Sequence, residues 1–428
     1  MDFQLCSVYT SVAKPAAGKV IYLGFLFIGT LLSLLAFFPG VRSFFVRHSQ
    51  FCDRNLNFEK CDVLVGHVLL YRVYIGMIIF FFLISVINCQ MSIFSSSASV
   101  IENGLWFLKW NLFCFFVLIS LLIPEGRICH TLMHIGWIAA IIVIFMELIL
   151  LIDFAKYLNS YWIEKIETSL NSKLWHFLLI LITSLLYTLF IAFTIYFYVI
   201  YSTTKGCHSH SVFIAVIVFL CLGASLLSFH PKVREAGLLQ AGMVATYTMY
   251  LTWSALSHSS DKKCNPTYLT SNWNDTKDDY LFSLKPIMII DITILFGILF
   301  YGIYRVKNLN EFLNNLHLIN CCSQSDEDDT DEPIESNEQA ILSSSYLSYY
   351  ICILLAILYI LMVVSNYYTP EGILGTNKVL LETKDGMMDV NEYTKEFSML
   401  TAMSIKMTMS FVFVLMFMWT AVASLLSA

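Results

Sequence analysis

Ten stretches of roughly 20 predominantly apolar residues, each long enough to cross a hydrocarbon layer, constrain this chain more than any other feature. They fall at 20–38, 68–89, 104–123, 128–152, 174–201, 211–229, 238–257, 284–304, 346–368 and 399–426. Lipid offers backbone N–H and C=O groups no partners, so a spanning segment must satisfy them internally. The short alternating segments of a transmembrane β-barrel are absent from the sequence. The expected fold is therefore all-α: a polytopic integral membrane protein with about ten transmembrane helices. Composition agrees. Of 428 residues, 58% are hydrophobic and only 13% charged, against about 25% charged in ordinary soluble domains. The first apolar run is long for a signal peptide and lacks a small-residue cleavage site, so it is read as a true span.

The fourth stretch stands apart. From 128 to 171 it contains no proline and a single glycine, Gly136. A helix over 131–169 would measure about 58 Å at 1.5 Å per residue, more than an upright span needs. It must tilt or project into water, unless a span is followed there by a separate surface helix.

Lys and Arg do not fix the orientation; with an inside N-terminus their loop distribution runs slightly against the positive-inside rule. Cysteines and the sequon are more informative. Ten spans place loops 39–67, 202–210 and 258–283 on one side. These carry Cys52 and Cys61, then Cys207, then Cys264 and the N-x-S/T sequon at Asn274. An oxidising lumenal or extracellular side would allow Cys52–Cys61 and Cys207–Cys264 bridges and glycosylation of Asn274, with both termini cytoplasmic. On the opposite side, segment 305–344 holds an acidic run from Asp326 to Glu338 without Lys or Arg, expected to be a disordered loop. Cys321 and Cys322 just before it are palmitoylation candidates.

Several motifs stand in a recognisable order. Lys60-Cys61-Asp62-Val63-Leu64-Val65-Gly66 precedes Tyr71-Arg72. Asn103-Gly104-Leu105-Trp106-Phe107-Leu108-Lys109 and Leu150-Leu151-Ile152-Asp153-Phe154-Ala155 follow. Then come His230-Pro231-Lys232, Gly237-Leu238-Leu239-Gln240, Tyr247-Thr248-Met249-Tyr250-Leu251-Thr252-Trp253-Ser254-Ala255, Cys264-Asn265-Pro266, Tyr367-Tyr368-Thr369-Pro370 and Trp419-Thr420-Ala421-Val422-Ala423. This order and spacing resembles the serine incorporator family over nearly the whole chain. The chain departs from the family pattern at its cysteine-poor start, where only Cys6 precedes span one, and at Val422-Ala423-Ser424, where the family closes on Val-Ala-Pro. The resemblance implies ten helices in two bundles joined by one long, strongly tilted helix. It also implies ATP-independent phospholipid scrambling with phosphatidylserine exposure, or serine supply to phosphatidylserine and sphingolipid synthesis, or a role in membrane organisation and viral restriction.

Ionisable groups inside spans are costly and so are functional candidates. Glu147 and Asp291 are expected to meet a cation or hydroxyl within the protein. Lys109, near the end of span three, is a further candidate, and Lys285 and Lys406 are placed to snorkel to the interface. Span seven is the most polar. Thr246, Tyr250, Ser254 and Ser257 recur on one helical face, where they serve either as packing glue or as a polar track along which a lipid headgroup crosses. No nucleotide, metal or acyl-transfer motif is present, so no cofactor is expected. Expected partners are membrane phospholipids, with sterol or sphingolipid, a second copy of the chain, and lipid-synthesis enzymes or trafficking adaptors as further candidates. Nucleic acid is not expected, given a net charge of −6 and no basic patch.

Overall fold

A computed structural model describes residues 15–48, 58–94, 105–123, 127–168, 171–202, 208–228, 237–259, 264, 286–315, 334–365, 380–383 and 386–426. Cys52, Cys207, Asn274, Cys321 and Cys322 lie outside these, as do the side chain of Cys61 and the core of the acidic run. Cys264 is buried and disulfide-bonded.

The chain is an all-α polytopic membrane protein. In order its helices are α1 (Pro15–Leu34), α2 (Pro39–His48), α3 (Phe58–Phe94), α4 (Trp106–Ser120), α5 (Arg127–Thr168), α6 (Ser172–Tyr201), α7 (His208–Ser228), α8 (Leu238–Ser257), α9 (Pro286–Asn315), α10 (Ile334–Val364) and α11 (Val390–Leu426). A short antiparallel hairpin, β1 (Leu380–Thr383) with β2 (Gly386–Asp389), precedes α11. Proline opens α1, α2 and α9, the position where its missing N–H costs nothing.

All ten expected segments fall on helices. Among the described residues, eight helices are long and apolar enough to cross a membrane. The other two depart from expectation for different reasons. α4 has 15 residues, short of the expected 104–123, because Leu105 adopts a left-handed backbone (φ 55°) at its start. α8 has 20 residues but is too polar to qualify by composition. Segment 305–344 is helical at both ends, since α9 runs on to Asn315 and α10 begins at Ile334; residues 316–333 lie outside the described residues.

The fourth stretch is one unbroken helix of 42 residues, about 63 Å at 1.5 Å per residue. The absence of proline allows this continuity. Two compact units result, one from residues 1–143 and 282–374, the other from 144–281 and 375–428, so α5 contributes to both.

In the first unit, α3 is the most buried helix and packs on α1, α2, α4 and α10. Ser33 and Tyr74 share a hydrogen bond of 2.9 Å between α1 and α3. Arg72 of α3 donates to the Leu121 carbonyl beyond α4 at 2.8 Å. A layer of aromatic rings, including Phe25, Phe80 and Phe113 with centroids 5.3–5.8 Å apart, fills the space between α1, α3 and α4. Gly136 of α5 leaves room for the Met362 thioether of α10.

In the second unit, α8 is central. It packs on α6, α7 and α11, and 14 of its residues are buried. Its entry is fixed by Gly237, where a Cβ would sit 2.5–2.7 Å from the Asn159 amide of α5. Gly237→Ala is expected to lower stability by about 1–3 kcal/mol through overpacking. Asn159→Ala in the same chain should recover part of that loss, as thermal melting in detergent will show; equal melting of Gly237→Ala and wild type would refute the close approach.

Candidate functional site

Most candidate groups on α8 satisfy themselves. A serine or threonine in a helix bonds back to the carbonyl one turn earlier. Thr246 donates to Gly242, Thr248 to Val244, Thr252 to Thr248 and Ser257 to Trp253, all at 2.7–2.8 Å. Such hydroxyls enter an apolar interior at little cost, which explains how so polar a helix becomes the core of its unit. The four candidates on one face reach different neighbours. Thr246 also donates to the Leu186 carbonyl of α6 at 3.1 Å, whereas Ser254 faces α11. Thr246, Tyr250 and Ser257 are half-buried; Ser254 is fully buried.

Ser254 is the exception chemically. Lys406 of α11, 2% exposed, donates its ammonium to Ser254 Oγ at 2.7 Å. The expectation that Lys406 snorkels to the interface is therefore corrected. α8 and α11 run antiparallel, with Tyr247 against Phe413 (centroids 5.4 Å apart) two turns from the Ser254–Lys406 contact. This register points the lysine into the helix pair and away from its end. At the foot of the same hydroxyl, His258 Nδ1 lies 2.7 Å from the Ser254 carbonyl.

Glu147, 4% exposed, meets a hydroxyl as expected. Tyr247 of α8 donates to its Oε2 at 3.4 Å, a long bond. Glu147 and Lys406 thus address the same helix from α5 and α11, about two turns apart along α8. The second unit holds an acidic and a basic side chain in its interior, spaced by the tyrosine, threonine and serine hydroxyls of α8.

The remaining candidates belong to the first unit. Asp291, on α9, is 6% exposed and Lys109, on α4, 5%. Lys109 Nζ lies 4.3 Å from the Trp106 ring centroid and 5.2 Å from that of Tyr22, within the range where an aromatic face attracts a cation. Sequence reasoning missed Tyr247 and Lys19. Tyr247 lies within the Tyr-Thr-Met-Tyr motif, which was the available signal; Lys19 stands at the edge of an apolar run and carried none.

The comparisons with known proteins agree along the chain. A family model described as Serine incorporator (Serinc) matches residues 3–428. The chain belongs to the serine incorporator family. A "Probable serine incorporator" of Nematostella vectensis is 29% identical over 98% of this chain and 91% of its own. "Serine incorporator 3" of Bos taurus is 28% identical over 98% and 93%, and "Serine incorporator 2" of Homo sapiens 28% over 99% and 93%. In this serine incorporator Glu147, Asp291 and Lys406 fall on helices long and apolar enough to cross a membrane, where each is costly to keep.

Proposed function

We propose that this serine incorporator is an ATP-independent phospholipid scramblase that affects phosphatidylserine exposure, acting in plasma and secretory membranes with both termini cytoplasmic. The observation that carries the reading is the Lys406–Ser254 contact: a lysine ammonium held inside a pair of membrane helices and bonded to a hydroxyl at 2.7 Å. A charged group at that depth is expensive unless it is used. A headgroup entering the hydrocarbon loses its water, and the loss is prohibitive unless polar groups replace it. Lys406 offers a cation to the phosphate and Glu147 a carboxylate to an ammonium, while acyl tails stay in lipid. Net flow then follows the lipid gradient, with no cofactor and no covalent chemistry.

A second reading rests on the relatives' names, which speak of serine incorporation: the protein supplies serine to lipid synthesis. One assay separates the two. The purified protein is placed in liposomes carrying a fluorescent phospholipid, and a membrane-impermeant reductant is added without ATP or calcium. Scrambling bleaches well beyond the outer-leaflet half. A plateau at half, equal to protein-free liposomes, refutes scrambling and leaves serine supply or membrane organisation as the function.

A further inference from the structure

Where α2 packs on α3, the first unit leaves a gap. Phe45 of α2, Val65, Val68, Leu69 and Arg72 of α3, and Leu121 beyond α4 line a cleft of about 220 Å³ that is partly open at the surface. Its lining is apolar. Arg72 is no exception, because its guanidinium donates to the Leu121 carbonyl at 2.8 Å and leaves its alkyl stem to the cleft. The helix α2 forms one wall and is two-faced. Arg42 and Phe45, one turn apart, turn inward; Arg42 is buried and Phe45 half-buried. Phe44 and Arg47, also one turn apart, are exposed. A short helix with an aromatic ring and an arginine on its outer face suits the headgroup layer.

The depth of the cleft follows from the spans. The apolar stretch of α1 ends at Phe37 and that of α3 begins at Val65, so α2, opening at Pro39, stands where both leave the hydrocarbon. From Val65 to Arg72 is about 10 Å along α3, against about 15 Å for half of a hydrocarbon core of roughly 30 Å. The cleft therefore occupies the level of the first part of an acyl chain in one leaflet. It is continuous with lipid-facing surface: Phe44, next to Phe45, is 57% exposed, and Leu122, next to Leu121, 81%. At about 220 Å³ it is smaller than the roughly 300–1,000 Å³ of sites that enclose a whole ligand, so it suits a single chain whose headgroup stays outside. Glu59, Lys60 and Asp62 stand at the start of α3, with side chains outside the described residues; hydrocarbon is indifferent to them. Lipid is as apolar as the lining, so transfer from water does not drive occupancy. Contact does, because an empty gap forfeits the dispersion attraction of the atoms around it.

We propose that this cleft binds one acyl chain of a bilayer phospholipid, with α2 lying among the headgroups. The site belongs to the first unit and requires binding, not flipping, so its failure and that of scrambling are separate results.

The full chain in liposomes containing a phospholipid with a photoreactive diazirine in the upper part of one acyl chain tests it. After illumination, peptide mass spectrometry finds the label concentrated at Phe45, residues 65–72 and Leu121. Phe115 and Leu118, exposed on α4, report ordinary surrounding lipid. A diazirine at the methyl end of the chain misses the cleft. Leu69→Trp fills the cleft and Phe45→Ala removes a wall. Each lowers the label there about fivefold, equivalent to roughly 1 kcal/mol, and leaves the label on Phe115 and Leu118 unchanged, which also shows that the unit has kept its fold. Label no denser in the cleft than on Phe115 and Leu118, or unchanged in both variants, overturns the proposal. So does a cleft without label, the result if a second copy of the chain covers it.

Discussion

Gly76→Leu is expected to destabilise the first helical unit more than any other single glycine substitution and to remove most of the monodisperse protein from detergent extracts. A Cβ at Gly76 would lie 2.8 Å from both the Val117 Cα and the Phe116 carbonyl oxygen, and 2.7 Å from Ser120 Oγ. Two of these three atoms are backbone, so no rotamer change relieves them; α3 and α4 must move apart. Between membrane helices, close approach of backbones at small residues supplies much of the attraction that water-driven burial supplies elsewhere. Overpacking alone costs about 1–3 kcal/mol, and separation of the helices adds the lost Phe80–Phe113 contact, 5.3 Å between centroids, and the Arg72–Leu121 hydrogen bond. Gly76→Ala takes the lower end of that range. Gly24→Leu is the control, because nothing stands within 4 Å of its added Cβ. Melting followed by size-exclusion chromatography should rank Gly24→Leu near wild type, Gly76→Ala below it and Gly76→Leu lowest. Gly76→Leu melting with the wild type would show that α3 and α4 are not in backbone contact there.

The second large effect is an asymmetry between Ser254 and Lys406. Ser254→Ala removes the hydroxyl that accepts from a buried ammonium, and hydrogen bonds to charged groups are worth about 1.5–3 kcal/mol. Lys406→Met removes the charge and keeps the length of the side chain. Exchanging a buried ion for a hydrocarbon of similar volume is often neutral or stabilising, so Lys406→Met should melt at or above the wild type. The double variant should melt like Lys406→Met, since the serine then has no cation to serve; this is the coupling a mutant cycle isolates. Under the scrambling reading both single variants slow lipid exchange by about tenfold, equivalent to roughly 1.4 kcal/mol in the barrier. Stability and transport therefore move in opposite directions for Lys406→Met. If that variant loses as much stability as Ser254→Ala while flipping lipid normally, Lys406 is a structural residue and the proposed route loses its cation.

The spans were legible because hydrocarbon leaves a crossing helix no alternative to long apolar runs, and the unbroken α5 was legible because nothing between 128 and 168 stops a helix. The motif around Tyr247 made the family legible too. What escaped were facts that depend on helix pairing. The sequence shows Lys406 near the start of its span, where a lysine ordinarily reaches for the interface; only the antiparallel register of α8 and α11 turns it towards Ser254, 152 positions away. Likewise α8 reads as the weakest span and is the most enclosed helix of its unit, because hydropathy counts its hydroxyls as polar while the helix has already satisfied them. The late start of α4 at Trp106 escaped because Leu105 is an unlikely residue for a left-handed backbone.

The interleaving of the two units has a consequence for biosynthesis. Each unit is assembled from two separated stretches of chain, so neither is complete when its first stretch leaves the ribosome. The first unit waits for α9 and α10, by which time most of the second has been made; the second waits for α11. Half-finished bundles must therefore persist in the bilayer during synthesis, with Ser254 uncovered by Lys406 until α11 arrives. A chain stopped before residue 390 would still hold every described helix of the first unit while leaving the second without the partner of its central helix, and such a product is a natural substrate for membrane quality control.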